Sequence, residues 1–333
     1  MQSREVSKVS VVVVNWNGYK LLDDCLTALY QKTDVLSKII LVDNGSTDSS
    51  VSFVRQRFPN VKIIELAENK GFAGGNAEGL KAAEGEFIAL LNNDTCVDAH
   101  WLDNVIQPML EDSKIGICAS SVLFEGSTTT ESAGQEITTA GVGVNRGTGK
   151  SSSAFGSSGF IFGACGAAVL YRRKMLDEIG FLDEDFFLYD EDTDLNFRAH
   201  LAGWNCAYVP TALVYHKGNA TSGRLSDLHV YYHTRNLEFV WIKNMPVGLM
   251  LRFAHHKLMQ EIGAFTYLCV RHMKWQAFFR AKRDALRMMP AMWKKRAEIQ
   301  RRRRVSNRYI KKILTSVFSL EIVRQKIHQL LWG

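Results

Sequence analysis

Three clusters of acids and amides carry the chemistry this chain could perform. They are Asp43-Asn44-Gly45-Ser46-Thr47-Asp48, Asn92-Asn93-Asp94-Thr95 and Asp190-Glu191-Asp192-Thr193-Asp194. The first two follow apolar runs, Ile39–Val42 and Phe87–Leu91, that read as buried strands. An open α/β sheet gathers its ligands at the carboxyl ends of such strands. Carboxylates collected in one crevice repel each other unless a cation or a proton lies between them. The pattern therefore suits a divalent metal, a phosphate-bearing substrate and one carboxylate left free as a base.

The elements that must position these groups follow from periodicity. Residues 9–14, rich in valine without polar alternation, read as a strand buried on both faces. Leu22, Leu26 and Leu29 place a helix over Tyr19–Gln31. Strands are expected at Lys38–Val42, Val61–Leu66 and Phe87–Leu91, with helices near Ser49–Arg57 and from the glycine-rich stretch Asn69–Asn76 through Ala83. That alternation requires right-handed crossovers and a parallel sheet. Residues 126–160, rich in Ser, Thr and Gly, read as extended loops or a mobile flap. A small-residue strand at Gly163–Leu170, helices at Arg173–Ile179 and Asp192–Ala202, and strands at Cys206–Pro210 and Leu213–His216 complete the body. The fold class is α/β, a Rossmann-like unit with a mostly parallel central sheet.

The net charge of +7 hides an asymmetry: residues 244–333 hold 20 Lys+Arg against 4 Asp+Glu, so the remainder is acidic. The six cysteines are far apart and form no C-x-x-C pair, which excludes a zinc ribbon or a disulfide framework and fits a reduced cytoplasmic setting. The amino terminus is polar and shows no signal peptide. No apolar run reaches the length of a spanning helix.

The glycines of Asn69–Asn76 suit a loop that cradles a diphosphate at a helix N-terminus, but the spacing matches neither G-x-G-x-x-G nor the Walker motif. Plain turn chemistry explains them equally well. Taken together, Val11–Gly18, Val42–Asp48, Asn69–Asn76, Leu90–Thr95, Gly163–Leu170 and Asp190–Arg198 resemble, in order and spacing, the family 2 glycosyltransferases with the GT-A fold. Within them the chain is similar to the rhamnosyltransferase-type branch. The resemblance covers about residues 8–245.

That resemblance implies an inverting transfer of a sugar from a nucleoside diphosphate, with dTDP-L-rhamnose the donor its branch points to. Asp43 would accept from the pyrimidine base, with Asn15 and Asn44 beside the same nucleoside. Asn69, Gly71, Gly75 and Asn76 would border the donor through the glycine-rich loop. Asn92 and Asn93 would lie near the ribose and diphosphate, and Asp94 would coordinate Mg2+ or Mn2+, for which oxygen ligands are suited. Asparagine at position 92 leaves one carboxylate where relatives have two, so the diphosphate must supply much of the coordination. His216 matches a histidine that some relatives place on the metal, although a lone histidine after a strand is equally well structural. Asp192 corresponds to the base that deprotonates the acceptor hydroxyl. Glu191 and Asp190 should raise its pKa by like-charge repulsion. Acids at a helix start also favour the macrodipole, but five between Asp185 and Asp194 exceed that need. Arg235 would contact the diphosphate or pair with an acid. Trp16, Trp204 and Trp241 could stack on sugars, though core packing is the better default.

Residues 1–245 are thus expected to form the catalytic domain. Residues 246–333 form a basic helical region in which Trp275, Phe279, Met288 and Trp293 alternate with Lys282, Arg283, Lys294 and Arg301–Arg304. Such interleaving fits an interfacial helix on anionic lipid, or a solvated basic face. No motif for nucleic acid accompanies it. The expectation is a cytoplasmic enzyme held peripherally on the inner membrane face, acting on a glycan or a polyprenyl-diphosphate-linked acceptor. The competing readings are a nucleotidyltransferase and a non-catalytic carbohydrate- or lipid-binding scaffold.

Overall fold

The computed structural model describes residues 8–32, 37–218, 225–319 and Ile322. The first seven residues of the polar amino terminus lie outside them. In chain order the first elements are β1 (Val9–Asn15), α1 (Tyr19–Lys32), β2 (Ser37–Asp43), α2 (Ser50–Arg57), β3 (Lys62–Glu65), α3 (Gly71–Ala82) and β4 (Phe87–Asn92). Next come β5 (Thr95–Val97), α4 (Trp101–Glu111), β6 (Ile115–Phe124), β7 (Thr130–Ser132), β8 (Gln135–Thr138), β9 (Gly143–Asn145), β10 (Gly159–Ile161), β11 (Ala168–Arg172), α5 (Arg173–Ile179), α6 (Glu191–Leu201) and β12 (Asn205–His216). The chain continues through α7 (Asp227–Asn244), α8 (Val247–Phe265), α9 (Trp275–Arg301), α10 (Asn307–Ile313) and β13 (Leu314–Thr315).

The main sheet runs β10-β12-β6-β11-β4-β1-β2-β3. Its β3-β2-β1-β4 half is parallel, as alternation of strand and helix requires. The other half is mixed, because β11 runs antiparallel to both β4 and β6. Register sets the site: Asn15 lies beside Asp43 and Val14 beside Asn92, so two of the three clusters end level on one edge. Strands β1, β2 and β4 are buried on both faces, as their unbroken apolar runs demand.

Several elements differ from expectation: the strand expected at Gly163–Leu170, for one, is β11 at Ala168–Arg172, preceded by a turn at Gly166–Ala167. Residues 126–160 are not simply a loop: β7, β8, β9, a 3-10 turn at Ser152–Phe155 and β10 lie in that span. Thr130, Ser132, Thr138 and Thr139 are buried there. Composition misled because β-branched threonine packs on a pleated surface as readily as it populates turns. Strand β12 is continuous where two strands were expected, with Pro210 inside a register shift between Val209 and Leu213. Strand β6 and helix α4, which the periodicity reading passed over, fill the sheet between β11 and β12 and cover it.

Packing divides the described residues into two units, one within Met1–Gln135, Asn145–Ala199 and Trp204–Ala220, the other within Glu136–Val144, His200–Gly203 and Thr221–Gly333. Arg235, on α7, therefore belongs to the second unit. In that unit Glu238, Lys257, Glu261 and Lys282 close a ring of ion pairs across α7, α8 and α9. Strand β8 pairs with β13.

The glycines of α3 serve packing. A Cβ on Gly75 would lie 2.8 Å from Val14 Cγ1, and one on Gly79 would lie 2.3 Å from Val12 Cγ1. Four helical residues rise about 6 Å and two strand residues about 6.6 Å, so the pair lets the helix backbone settle on alternate valines of β1. Gly71 has φ +72°, and a Cβ there would stand 2.3 Å from the Phe187 carbonyl. Gly71→Ala should therefore cost about 2 kcal/mol or more, combining left-handed strain with a clash. Gly126→Ala, at φ +68° with nothing within 4 Å, should lose only the backbone part, about 1–2 kcal/mol. Urea unfolding of the two variants would test the difference; equal losses would remove the packing argument.

Candidate functional site

The carboxyl edge of β1, β2 and β4 is knit by amides. Asn15 Nδ2 donates to Asp43 Oδ1 at 3.4 Å and to Ser46 Oγ at 3.3 Å, while Asn15 Oδ1 accepts from Asn93 Nδ2 at 2.8 Å. Asp43 Oδ2 accepts from the Ser46 backbone N–H at 3.0 Å. Asp43 is buried, and a carboxylate has about four acceptor positions, so capacity remains for a further donor. Asn44 turns the other way: its Nδ2 donates to Asn69 Oδ1 and to the Gly71 carbonyl, and its Oδ1 accepts from Lys70 N–H. Asn69 Oδ1 also accepts from Gly71 N–H. Asn44 and Asn69 thus brace the turn that opens α3. Asn76 donates to the Phe72 carbonyl one helical turn back, and the Cβ side of Gly75 is filled by Val14. The structure spends Asn76 and the Cβ face of Gly75 on the protein itself. The Asn92 N–H donates to the Ala167 carbonyl.

Asp94 sits in the turn after β4 and is buried. Its Oδ1 lies 3.0 Å from His216 Nε2, and His216 Nδ1 lies 2.7 Å from Glu131 Oε2. Burial alone would lower the His216 pKa. Hydrogen bonds to Asp94 and Glu131, and the charges of both, raise it instead to about 10. Without metal the ring is therefore an imidazolium held between two carboxylates.

The same residues also bear on a divalent ion. A 3.0 Å spacing between Asp94 Oδ1 and His216 Nε2 is that of adjacent ligands each about 2.1 Å from an octahedral ion. A carboxylate on the far ring nitrogen, as Glu131 is, orients a metal-bound histidine. Among the described residues no group of three His, Cys, Asp or Glu gathers to hold an ion. The donor set fits a divalent ion as two protein ligands, with substrate or solvent oxygens completing the sphere.

Asp192 opens α6. Its Oδ2 accepts from Gln135 Nε2 and Gly166 N–H, each at 2.9 Å, and its Oδ1 accepts from Thr193 N–H at 2.6 Å. Burial, more than the charge of Asp190, raises its pKa to about 6. Like-charge repulsion, the cause expected from sequence, is the smaller effect. Glu191 is raised well above its ordinary value, first by burial and then by the Asp192 charge, so Asp192 is the member of the pair that ionises near neutrality. The approach to α6 is strained: Phe187, Tyr189 and Asp190 all have positive φ, at 64°, 69° and 64°. Non-glycine residues in that region cost of order 1–3 kcal/mol each. The Phe187 carbonyl accepts from Ala73 N–H, so α3 holds this strained segment in place.

One short segment joins the two centres. Glu131, in β7, binds His216, and Gln135, at the start of β8, binds Asp192. Gln135 Oε1 also accepts from Asn196 Nδ2 at 2.9 Å. Four residues of chain span at most about 14 Å, and the charges of Asp192 and Glu131 both act on the buried Cys165 thiol, so the two hydrogen bonds are made from neighbouring positions. Neither Glu131 nor Gln135 was singled out from sequence. They lie in the stretch read as a flap, where a Glu and a Gln among Ser, Thr and Gly carry no local signal. Arg235 lies outside this cluster's unit, its guanidinium 4.9–5.5 Å from the Tyr231, Tyr232 and Phe239 ring centres. Trp204 and Trp241 are buried, whereas Trp16 is 45% exposed.

Residues 10–180 match the family model described as "Glycosyl transferase family 2". The chain is 25% identical over 289 residues to the N-acetylglucosaminyl-diphospho-decaprenol L-rhamnosyltransferase of Mycobacterium tuberculosis, covering 78% of this chain and 92% of that protein. It is 24% identical over 278 residues to the poly-beta-1,6-N-acetyl-D-glucosamine synthase of Staphylococcus epidermidis, covering 81% of this chain and 64% of the synthase. Among solved structures it superposes on Staphylococcus aureus TarS 1-349 with TM-score 0.53 at 17% identity, covering 89% of this chain and 88% of that one. It also superposes on the mannosyltransferase PcManGT of Pyrobaculum calidifontis with TM-score 0.52 at 16% identity, covering 97% and 87%. These likenesses place the chain among GT-A folds.

The raised His216 pKa has a sign. Its stabilisation is fully present below the unfolded histidine value of about 6.5 and is lost as pH rises through about 10. In metal-free protein the His216 ring should keep imidazolium NMR shifts to near pH 10. His216→Gln should flatten the dependence of urea stability on pH between those values. A ring that titrates near pH 6.5 would contradict the geometry.

Proposed function

Because the chain belongs to glycosyltransferase family 2, we propose that it moves a sugar from a nucleoside diphosphate to an acceptor hydroxyl with inversion, Asp192 acting as the base. The observation that carries this reading is the Glu131–Gln135 segment, which holds His216 beside Asp94 and Asp192 at the two ends of one short span.

Asp43, steadied by Asn15 and Ser46, offers acceptor capacity to the N3–H of a pyrimidine base. Asp94 and His216 would hold Mg2+ or Mn2+, which when bound supplies positive charge to offset the charge growing on the departing diphosphate. The acceptor oxygen bonds to the anomeric carbon as the bond to the diphosphate oxygen breaks, and Asp192 takes the hydroxyl proton. Attack opposite the leaving group inverts the centre. Burial favours this role by bringing the Asp192 pKa near the working pH, where a base is both free and strong enough. Transfer of L-rhamnose to a polyprenyl-diphosphate-linked acceptor draws support from the mycobacterial relative's name, and a dTDP carrier from the branch resemblance of the Asn-Asn-Asp-Thr motif.

Membrane attachment draws support from two exposed stripes. Leu251, Leu258, Ile262 and Phe265 recur at helical spacing on α8, and Trp275, Phe279, Leu286 and Trp293 on α9; all are more than 40% exposed. Their strongly basic surroundings suit anionic lipid. No helix among the described residues is long and apolar enough to cross a membrane. Interfacial attachment to the inner leaflet fits both facts.

Asp192→Asn should keep donor binding and fold while lowering kcat by about 100-fold or more. The wild-type kcat/KM should rise with pH through about 6, as Asp192 loses its proton. Transfer assays with a panel of nucleotide sugars and Mn2+ would measure both. Undiminished turnover by the variant would overturn the assignment. Leu258→Glu with Ile262→Glu should abolish sedimentation with anionic vesicles while leaving transfer to a soluble acceptor unchanged; unaltered sedimentation would remove the membrane reading.

A further inference from the structure

The second unit contains a cleft of about 540 Å³ lined by Val247, Gly248, Trp293, Arg296, Ala297, Gln300, Arg303 and Asn307. We propose that it is an anion site for a phosphate or diphosphate ester. Nothing in the transfer chemistry of the first unit requires it.

Arg296 carries the argument. The residue is 4% exposed, and its Nη1 donates to the Ile242 and Met245 carbonyls at the end of α7, the second at 2.7 Å. Its Nη2 is buried and has no hydrogen-bond partner. A cationic donor left unpaired in an interior costs the desolvation of that group, more than an ordinary unmade hydrogen bond. An anion entering the cleft would supply the missing acceptor.

The surroundings agree. Helix α8 begins at this cleft with Val247 and Gly248, and its N-cap is Pro246, which provides no side-chain cap. Leu249 and Met250 N–H already donate to the Pro246 carbonyl, so the Val247 and Gly248 N–H groups ahead of them are the ones left for a ligand, at the positive end of the helix dipole. Arg303 adds a second guanidinium, fixed by Nε on the Val305 carbonyl and Nη2 on Asn307 Oδ1, both at 2.6 Å. The lining includes two cations and no acid. Gln300 donates to the Asn244 carbonyl at 2.9 Å and helps Arg296 close the end of α7. Trp293, 47% exposed, gives the cleft an apolar wall against which the organic part of an ester can lie.

Phosphate of this kind comes from a soluble diphosphate or from a lipid headgroup, and one experiment separates them. The full chain is titrated in EDTA, which silences metal-dependent binding in the first unit. The probes are inorganic pyrophosphate, farnesyl diphosphate, and vesicles of phosphatidylcholine with or without phosphatidylglycerol. Binding of at least one phosphate probe is expected. Arg303→Gln should weaken it by about tenfold or more, the value of a charge-assisted hydrogen bond. Arg301→Gln removes an equal charge outside the cleft and should change it by no more than about twofold. Arg296→Lys, checked for fold by circular dichroism, should weaken it likewise. Saturable pyrophosphate binding marks a site for soluble phosphate. Tighter binding of farnesyl diphosphate marks one that also uses the Trp293 wall. A response only to phosphatidylglycerol vesicles marks a headgroup site if Arg303→Gln weakens it and Arg301→Gln does not; otherwise it belongs to the exposed α8 and α9 stripes and the proposal falls. The proposal falls if no probe binds, or if Arg303→Gln and Arg301→Gln weaken binding equally. It also falls if Asp94→Asn abolishes binding while both cleft variants retain it. None of these results depends on sugar transfer, so they leave the reading of the first unit to its own tests.

Discussion

The hydrogen bonds between Glu131 and His216 and from Gln135 to Asp192 tie two centres of buried charge to one short stretch of chain, the end of β7, the bend at Ala133–Gly134 and the start of β8. Burying a carboxylate costs several kcal/mol unless donors or a counter-charge meet it. Asp94 is met by an imidazolium and Asp192 by a side-chain amide and backbone N–H groups. The two solutions have opposite consequences. The ion pair holds His216 charged far above its ordinary range. The neutral donors around Asp192 do not fully offset burial, so that carboxyl stays near the point of titration.

Supporting that arrangement has a backbone cost. Phe187, Tyr189 and Asp190 are left-handed without being glycine, directly ahead of α6. Glycine 71 accepts a matching left-handed turn so that the Phe187 carbonyl can approach α3. Further along α3, Gly75 and Gly79 let the helix press onto the valines of β1. The glycine-rich stretch is thus a mechanical support for both the sheet edge and the α6 approach. Asn44 and Asn69, bonded across its opening turn, complete that support.

The second unit follows a different logic. Its helices are joined by a ring of two glutamates and two lysines, and the α7 terminus is closed by Arg296 and Gln300. Its exposed aromatics and leucines stand among excess positive charge. The first unit buries its carboxylates among amides and a histidine, whereas the second exposes apolar side chains among cations.

The parallel half of the sheet was legible because unbroken valine, isoleucine and leucine runs have few other solutions than strands buried on both faces, and helical spacing between them fixes the crossovers. Asp43, Asp94 and Asp192 were singled out by their acidic clusters and by the family resemblance, and the structure shows each of them buried and hydrogen-bonded. Residues 126–160 were not legible. Serine and threonine serve turns and buried strands alike, and only long-range pairing selects between them; Glu131 and Gln135, which act from this segment, were hidden with it. Local sequence therefore determined which residues are ionisable and which runs must be buried. Tertiary structure decided what each of them meets: that His216 lies between two carboxylates, that burial outweighs repulsion at Asp192, and that Gly75 and Gly79 of α3 face valine side chains. Partner choice depends on contacts between residues 57 to 122 positions apart, which no local pattern encodes.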